Sequence, residues 1–329
     1  MKIAYSDFWD DFNPETFLLT RAIKNVVDLQ EVQKMDDANY LLFSCMGKKH
    51  WLAPNNVVKI FYTGENVVPD FNACDYGIGF DWLDFGNRYM RFPIYYHYGN
   101  ICEKMERKHF QPFVEKIKAK KDFCSITVSN EERNPIFKDL FHKLSLYKKV
   151  DSGGRWNNNV GGAVQDKFAF DLTHKFSIVC ENSSSPGYTT EKLVQALAAN
   201  CIPIYWGDPA VEKVFNKKAF INVQDYSTIE EVVERVREID ENDDMYCSML
   251  QEPALADEQY TKERQLEALH HFLSHIFSLP LEDARCRNRY CWGQRYVNNH
   301  RKAFFPSSSK ESLWLRMKVR LYEIFYNNN

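Results

Sequence analysis

No apolar run in this 329-residue sequence approaches the ~20 residues of a membrane-spanning helix, so no bilayer-crossing segment is expected. An excess of one charge is also missing. The 42 Lys and Arg against 45 Asp and Glu leave a formal net charge of −3, which gives no global pull toward nucleic acid. There is no internal repeat, and no low-complexity tract beyond Ser307–Ser309 and Asn327–Asn329. No charged-then-apolar leader precedes Met1–Tyr5, which reads as an opening strand, so neither a signal peptide nor an N-terminal anchor is expected. The nine cysteines are odd in number and scattered, as suits a reducing compartment where Cys is a small apolar filler. Cys286 and Cys291 lack a second Cys pair or a nearby His and are not expected to hold zinc. The acidic pairs Asp10-Asp11, Asp36-Asp37 and Asp243-Asp244 lack a metal-binding context. These absences together point to a cytoplasmic protein.

What is present is a globular composition, with 44% hydrophobic and 26% charged residues. The length suits two domains of about 150 residues each. Aromatic content is 15%; rings can line sugar clefts, but most serve as core. In the first half, Ile3–Tyr5, Asp28–Val32, Tyr40–Cys45, Val57–Tyr62 and Tyr76–Phe80 read as strands, and Phe17–Val27 as a helix. Residues 103–121 are lysine-rich with acidic residues interleaved, which favours a solvated connecting helix over a nucleic-acid patch. A second series opens at Phe123–Ser129 and runs to Val223, after which Thr228–Ile239 and Asp257–Phe277 read as helices. Such alternation predicts an α/β protein with parallel sheets, its halves joined near residue 115 and a cleft between them.

One segment is more informative than the rest. Phe176–Cys180 reads as a buried strand, Glu181–Gly187 as a polar small-residue loop, and the chain from Glu191 as a helix. Cys201–Trp206 follows as the next strand, then Gly207-Asp-Pro. A strand, a small-residue loop and a helix together offer backbone N–H groups to a phosphate. Here the helix opens with Glu191, suited to hydroxyls, and Lys192, suited to phosphate oxygens.

The residues in that unit are Glu181-Asn-Ser, Gly187-Tyr-Thr-Thr-Glu-Lys192 and Ile202-Pro-Ile-Tyr-Trp-Gly-Asp-Pro209. They closely resemble the signature of the α-1,3/4-fucosyltransferases, glycosyltransferase family 10, in its bacterial form. A second block, Phe61-Tyr-Thr-Gly-Glu-Asn66, Asp70-Phe-Asn72 and Asp75-Tyr-Gly-Ile-Gly-Phe-Asp81, stands in the matching order. The resemblance runs from the first strand to Asp225, with a looser match beyond. It implies two Rossmann-like domains facing across a cleft (GT-B type), followed by a helical C-terminal tail. Residues 1–115 would form the acceptor side with the general base, 116–300 the GDP-fucose domain, and 301–329 an amphipathic tail.

Sugar transfer from a nucleotide diphosphate requires that the acceptor hydroxyl lose a proton and that the departing diphosphate be stabilised. By resemblance Glu65 is the general base; by position alone it would read as an exposed loop carboxylate, with Asp75, Asp81 and Asp84 as rivals. Lys192 would face the diphosphate, Glu191 the ribose hydroxyls, and Asn182 and Tyr188 the donor pocket. Family members carry a phosphate-binding arginine where this chain has Phe137, which leaves Arg133, Lys138 or Arg155 to substitute. Pro135 argues against a helix that would bring Arg133 into that position. Gly153-Gly154 and Gly161-Gly162 read as turns where the backbone approaches the nucleotide, or as plain turns. Trp9, with Asp10 beside it, is expected on the acceptor sugar, and a core tryptophan is an equal alternative.

The implied reaction is inverting transfer of L-fucose from GDP-fucose to the 3-hydroxyl of GlcNAc in a LacNAc-type glycan. No cofactor and no divalent metal is expected, since cationic residues can replace a metal. The alternatives are another inverting sugar-nucleotide transferase and a non-catalytic nucleotide- or glycan-binding module. The tail from Leu313 to Tyr326 gathers Leu313, Trp314, Met317, Leu321, Ile324 and Phe325 on one helical stripe, with Arg316, Arg320 and Glu323 on another face and Lys318 at the edge. That pattern suits either a helix over residues 311–326 lying on an anionic inner-membrane face or a closing helix packed on the core.

Overall fold

The structure is a computed structural model and describes residues 1–108, 120–129, 135–287, 292–306 and 317. It divides into two compact units. One comprises Met1–Gly79, Asp84–Met90 and the described residues from His270 on; the other comprises Phe80–Leu83 and Arg91–Leu269.

The first unit holds β1 (Lys2–Ser6), α1 (Leu18–Lys24), β2 (Gln30–Glu31), β3 (Tyr40–Phe43), β4 (Val58–Tyr62), β5 (Tyr76–Gly79) and the edge strand β6 (Tyr89–Arg91). Sheet order is β2-β1-β3-β4-β5-β6, and β2 through β5 run parallel. Central strands of a parallel sheet are covered on both faces, and every residue of β3, β4 and β5 is buried accordingly. That burial includes Lys59, 2% exposed in the middle of β4. Its ammonium donates to the His50 carbonyl at 2.7 Å, and its backbone N–H donates to Asp75 at 2.8 Å. Burial, with Arg287 and Arg301 nearby, pulls the Lys59 pKa down to about 7.

The second unit holds α2 (Gly99–Glu106), β7 (Asp122–Ile126), α3 (Ile136–Tyr147), β8 (Val150–Ser152), α4 (Lys167–Asp171), β9 (His174–Cys180), α5 (Glu191–Ala198), β10 (Ile202–Trp206), β11 (Ile221–Asn222), α6 (Ile229–Asp240) and α7 (Asp243–Gln251). Its all-parallel sheet runs β8-β7-β9-β10-β11. Phe137, Leu140, Phe141 and Leu144 of α3 recur at helical spacing and are buried, as are Val232, Val236 and Ile239 of α6. Pro135 stands at the N-cap of α3, where a missing N–H is harmless, so the proline starts this helix instead of preventing it.

The last elements are α8 (Lys262–Ser278), α9 (Leu281–Ala284) and α10 (Trp292–Phe304). From His270 on they pack with the first sheet. Phe277 meets Tyr40 at 4.6 Å between ring centroids, and the Arg301 guanidinium donates to the Trp51 and Ala53 carbonyls. A boundary near 115 and a second domain ending at 300 differ from this division. Residues 91–108 go with the second unit because α2 packs on α5, and the described residues from His270 on belong to the first. The fold class is as expected, α/β with two Rossmann-like parallel sheets. The tail over 311–326 lies outside the described residues, Met317 apart.

Candidate active site

Both sheets share one strand order, the second strand lying outside the first and the third inside it. The chain therefore reverses direction across the sheet between β1 and β3, and again between β7 and β9. Ligands of open α/β sheets bind at such switch points, beyond the carboxyl ends of the strands. In the second unit a cavity of about 360 Å³ lies there. Thr127, Val128 and Ser129 line it from the end of β7, and Ile178 through Asn182 from the end of β9. Glu191 and Lys192 at the start of α5, Lys167 of α4 and Phe137 of α3 complete the wall.

Two buried carboxylates shape the loop from β9 to α5. Glu181, 1% exposed, accepts the Thr190 N–H and the Thr190 hydroxyl, both at 2.7 Å, and the Lys192 ammonium at 3.0 Å. Burial raises the Glu181 pKa, against the pull of Lys192 and the Thr190 hydrogen bonds. Asp208, also 1% exposed, accepts the Gly187 N–H at 2.7 Å and the Thr189 hydroxyl at 3.0 Å. Gly187 adopts φ +90°, and a Cβ there would sit 2.4 Å from the Phe80 carbonyl oxygen, so only glycine fits. Thr190 caps α5, its hydroxyl facing the Lys192 N–H, and the helix N-terminus opens on the cavity.

Asn182, Glu191 and Lys192 thus line one cavity. Tyr188 is 2% exposed and packs edge-on against Phe80, with centroids 5.0 Å apart. Phe137 is buried against Trp156 and brings no charge to the wall. Of the cations considered in its place, Arg133 lies outside the described residues, Lys138 is part-exposed on α3, and Arg155 is exposed on the loop after β8. Gly154 is tight against its own chain, since a Cβ would meet the Val128 carbonyl oxygen at 1.9 Å. Gly161 and Gly162 are positive-φ turns in open space.

In the first unit Glu65 is exposed just past β4, at the carboxyl end of the sheet. The buried Thr63 hydroxyl accepts the Glu65 N–H at 2.9 Å, and the Glu65 carbonyl accepts the Val67 N–H at 2.7 Å, so the backbone is fixed while the carboxylate reaches solvent. Asp75 is fully buried and accepts hydrogen bonds from the Lys59 N–H, the Arg287 N–H and the Arg287 guanidinium, which makes it a structural anchor. Asp84 is exposed and accepts the Gly86 N–H. Asp81, grouped with the second unit, is half-buried, and burial raises its pKa above the ordinary 3.8. Trp9 is half-buried among Phe8, Phe12 and Phe17, with centroids 5.4 to 5.9 Å away, and Asp10 is exposed beside it. Among the described residues no group of three His, Cys, Asp or Glu is placed to hold a metal ion.

Reading the sequence missed Lys167, Glu181 and Asp208. The only signal for the last two was their place inside the quoted motif; Lys167 stands in a polar stretch with no local mark.

The model for the α-(1,3)-fucosyltransferase FucT N-terminal domain matches residues 3–98, and that for the glycosyltransferase family 10 (fucosyltransferase) C-terminal domain matches 117–288. The α-(1,3)-fucosyltransferase FucT of Helicobacter pylori is 31% identical over 289 residues, covering 78% of this chain and 60% of that protein. Human 4-galactosyl-N-acetylglucosaminide 3-α-L-fucosyltransferase 9 is 30% identical over 142 residues, covering 42% of this chain and 38% of that one. The matches therefore span less than two thirds of these relatives. A crystal structure of an α1,3-fucosyltransferase with GDP-fucose superposes with a TM-score of 0.67 at 26% identity, covering 83% of this chain and 90% of that one.

Proposed function

The chain belongs to glycosyltransferase family 10, and on that footing we propose that it transfers L-fucose from GDP-fucose to the 3-hydroxyl of GlcNAc in a LacNAc-type glycan, with inversion. The observation that carries the reading is the cavity at the β7/β9 switch point, lined by Asn182, Glu191 and Lys192. The donor's guanosine diphosphate would occupy it, with Lys192 on the phosphates and Glu191 on the ribose. The acceptor preference rests on the names of the relatives, of which one is a 3-α-L-fucosyltransferase of galactosyl-N-acetylglucosaminide.

In the proposed step the acceptor oxygen attacks C1 of fucose while the bond from C1 to the diphosphate oxygen breaks, its electron pair leaving with GDP. Glu65 takes the acceptor proton. A single displacement with one base inverts the anomeric carbon, the logic of inverting glycosidases. Trp9 and Asp10 are proposed to meet the acceptor. We also propose that ammonium groups, without a divalent metal, stabilise the leaving diphosphate. Chelator at millimolar concentration should then leave the rate unchanged, whereas loss restored by added magnesium or manganese contradicts it. The proposed location is the cytoplasm, with any contact to the inner membrane face made by residues 311–326.

A donor panel with a LacNAc acceptor tests the reading. Release of the donor's nucleoside diphosphate is expected from GDP-fucose, and not from GDP-mannose or UDP-galactose. Release from another donor would mean a different sugar-nucleotide transferase; binding of GDP without turnover would mean a nucleotide-binding module.

A further inference from the structure

The donor cavity has two cationic side chains on its described wall, and only one of them belongs to the signature motif. Lys192 comes from the start of α5; Lys167 comes from the first residue of α4. Each is held by a carboxylate removed from solvent. Lys167 donates to Asp171 at 2.7 Å, and the Asp171 side chain is 1% exposed. Asp171 is itself fixed by the Ser125 hydroxyl of β7 at 2.6 Å and the Ser177 hydroxyl of β9 at 3.4 Å. The Lys167 side chain remains 24% exposed.

We propose that Lys167 is a second phosphate-binding residue of the donor site, contacting the diphosphate together with Lys192. The inference rests on reading this cavity as a GDP-sugar site. A sugar-linked diphosphate carries one negative charge on each phosphate, so two ammonium groups can offer each phosphate its own charge-assisted hydrogen bond. An ammonium has three donors, and Asp171 engages one in this structure, so two remain for a ligand. Because Asp171 is locked to both central strands, the ammonium is positioned before the ligand arrives, which reduces the ordering entropy of binding. Phe137, on the same wall, supplies a ring against Trp156 and no charge. Among the described lining residues the second cation is Lys167 of α4.

Replacing Lys167 alone strands a buried carboxylate and risks unfolding, so the test uses Lys167→Gln with Asp171→Asn, which removes both charges and keeps hydrogen-bonding groups in place. Titration calorimetry compares GDP with guanosine. The double variant should bind GDP roughly 10- to 100-fold more weakly, the effect of one lost charge-assisted phosphate contact, and guanosine as the wild type does. In parallel, the wild-type chain is treated with a lysine-acetylating reagent and Lys167 is followed by mass spectrometry. Saturating GDP should protect Lys167 and guanosine should not. GDP affinity within twofold of wild type, an equal loss for guanosine, or acetylation of Lys167 unaffected by GDP overturns the inference. A wild-type chain that binds no GDP overturns the donor-site reading as well, which separates the two failures.

Discussion

At the scale of single residues, the proposed chemistry falls on a few exposed groups held by buried ones. Glu65 reaches solvent while its backbone is tied to the buried Thr63. Glu65→Gln keeps shape and hydrogen bonding but cannot take a proton. Turnover should fall roughly 10²- to 10⁴-fold, the span of a lost general base, with GDP affinity unchanged by calorimetry. Full turnover in that variant would shift the role to Asp81, whose pKa is raised by burial. Gly187 makes a sharper structural demand. Gly187→Ala would put a Cβ 2.4 Å from the Phe80 carbonyl at φ +90°. The loop must then shift, and the expected result is a loss of about 1–3 kcal/mol of stability and weakened GDP binding. A variant with wild-type melting and affinity would show that this loop tolerates a different path.

At the scale of elements, Asp240 ends α6, where a negative charge opposes the helix dipole. Two lysines compensate: Lys175 of β9 at 2.6 Å, and Lys148, which follows α3. Burial alone would raise the Asp240 pKa, but these hydrogen bonds outweigh it and hold the pKa below the ordinary 3.8. A carboxylate whose pKa is lower folded than unfolded stabilises fully above the unfolded value. The contribution is lost as pH falls through the folded one. Denaturant melts should therefore show a loss specific to this tie between about pH 4 and the acid limit, and Asp240→Asn should flatten that part of the profile. At neutral pH the substitution should cost about 1–3 kcal/mol. An unchanged acid limb in the variant would mean that other carboxylates govern acid unfolding.

Elements also show how much the sequence revealed. Tyr40–Phe43, Val58–Tyr62 and Tyr76–Gly79 were legible because strands covered on both faces are continuous apolar runs. β9 starts at His174, two residues before the apolar run, since His174 and Lys175 find partners in Asp151 and Asp240 that no local pattern reveals. The expected helix over Asp257–Phe277 is a short turn at Glu258–Tyr260 followed by α8. In the site, Asn182, Glu191 and Lys192 were found through the motif. Lys167 was not, because its partner network joins α4 to strands on either side of it in sequence.

At the scale of the whole molecule, the return of the chain to the first sheet was the least legible feature. It depends on pairs more than 200 residues apart: Arg287 on Asp75 and Arg301 on the Trp51 and Ala53 carbonyls. Arg287 is 6% exposed, and removing it takes the guanidinium partner from the fully buried Asp75. Arg287→Ala should destabilise the chain by about 3–5 kcal/mol, read by urea melts, although it stands far in sequence from the motif block that holds Asp75. Loss below about 1 kcal/mol would contradict that weighting of a buried pair. Deletion of residues 311–329 tests the two readings of the tail. Vesicle co-sedimentation and thermal melting of the truncated chain then distinguish membrane docking, which loses sedimentation, from core packing, which lowers the melting temperature.

The central claim is tested most directly by the structure of the product. Incubation of the full chain with GDP-β-L-fucose and N-acetyllactosamine, followed by proton and carbon NMR of the purified trisaccharide, reads the linkage and the anomeric configuration together. A single product with fucose α-linked to O3 of GlcNAc is predicted. A β-linked fucose, attachment to another hydroxyl, or release of free fucose with no trisaccharide would contradict the account.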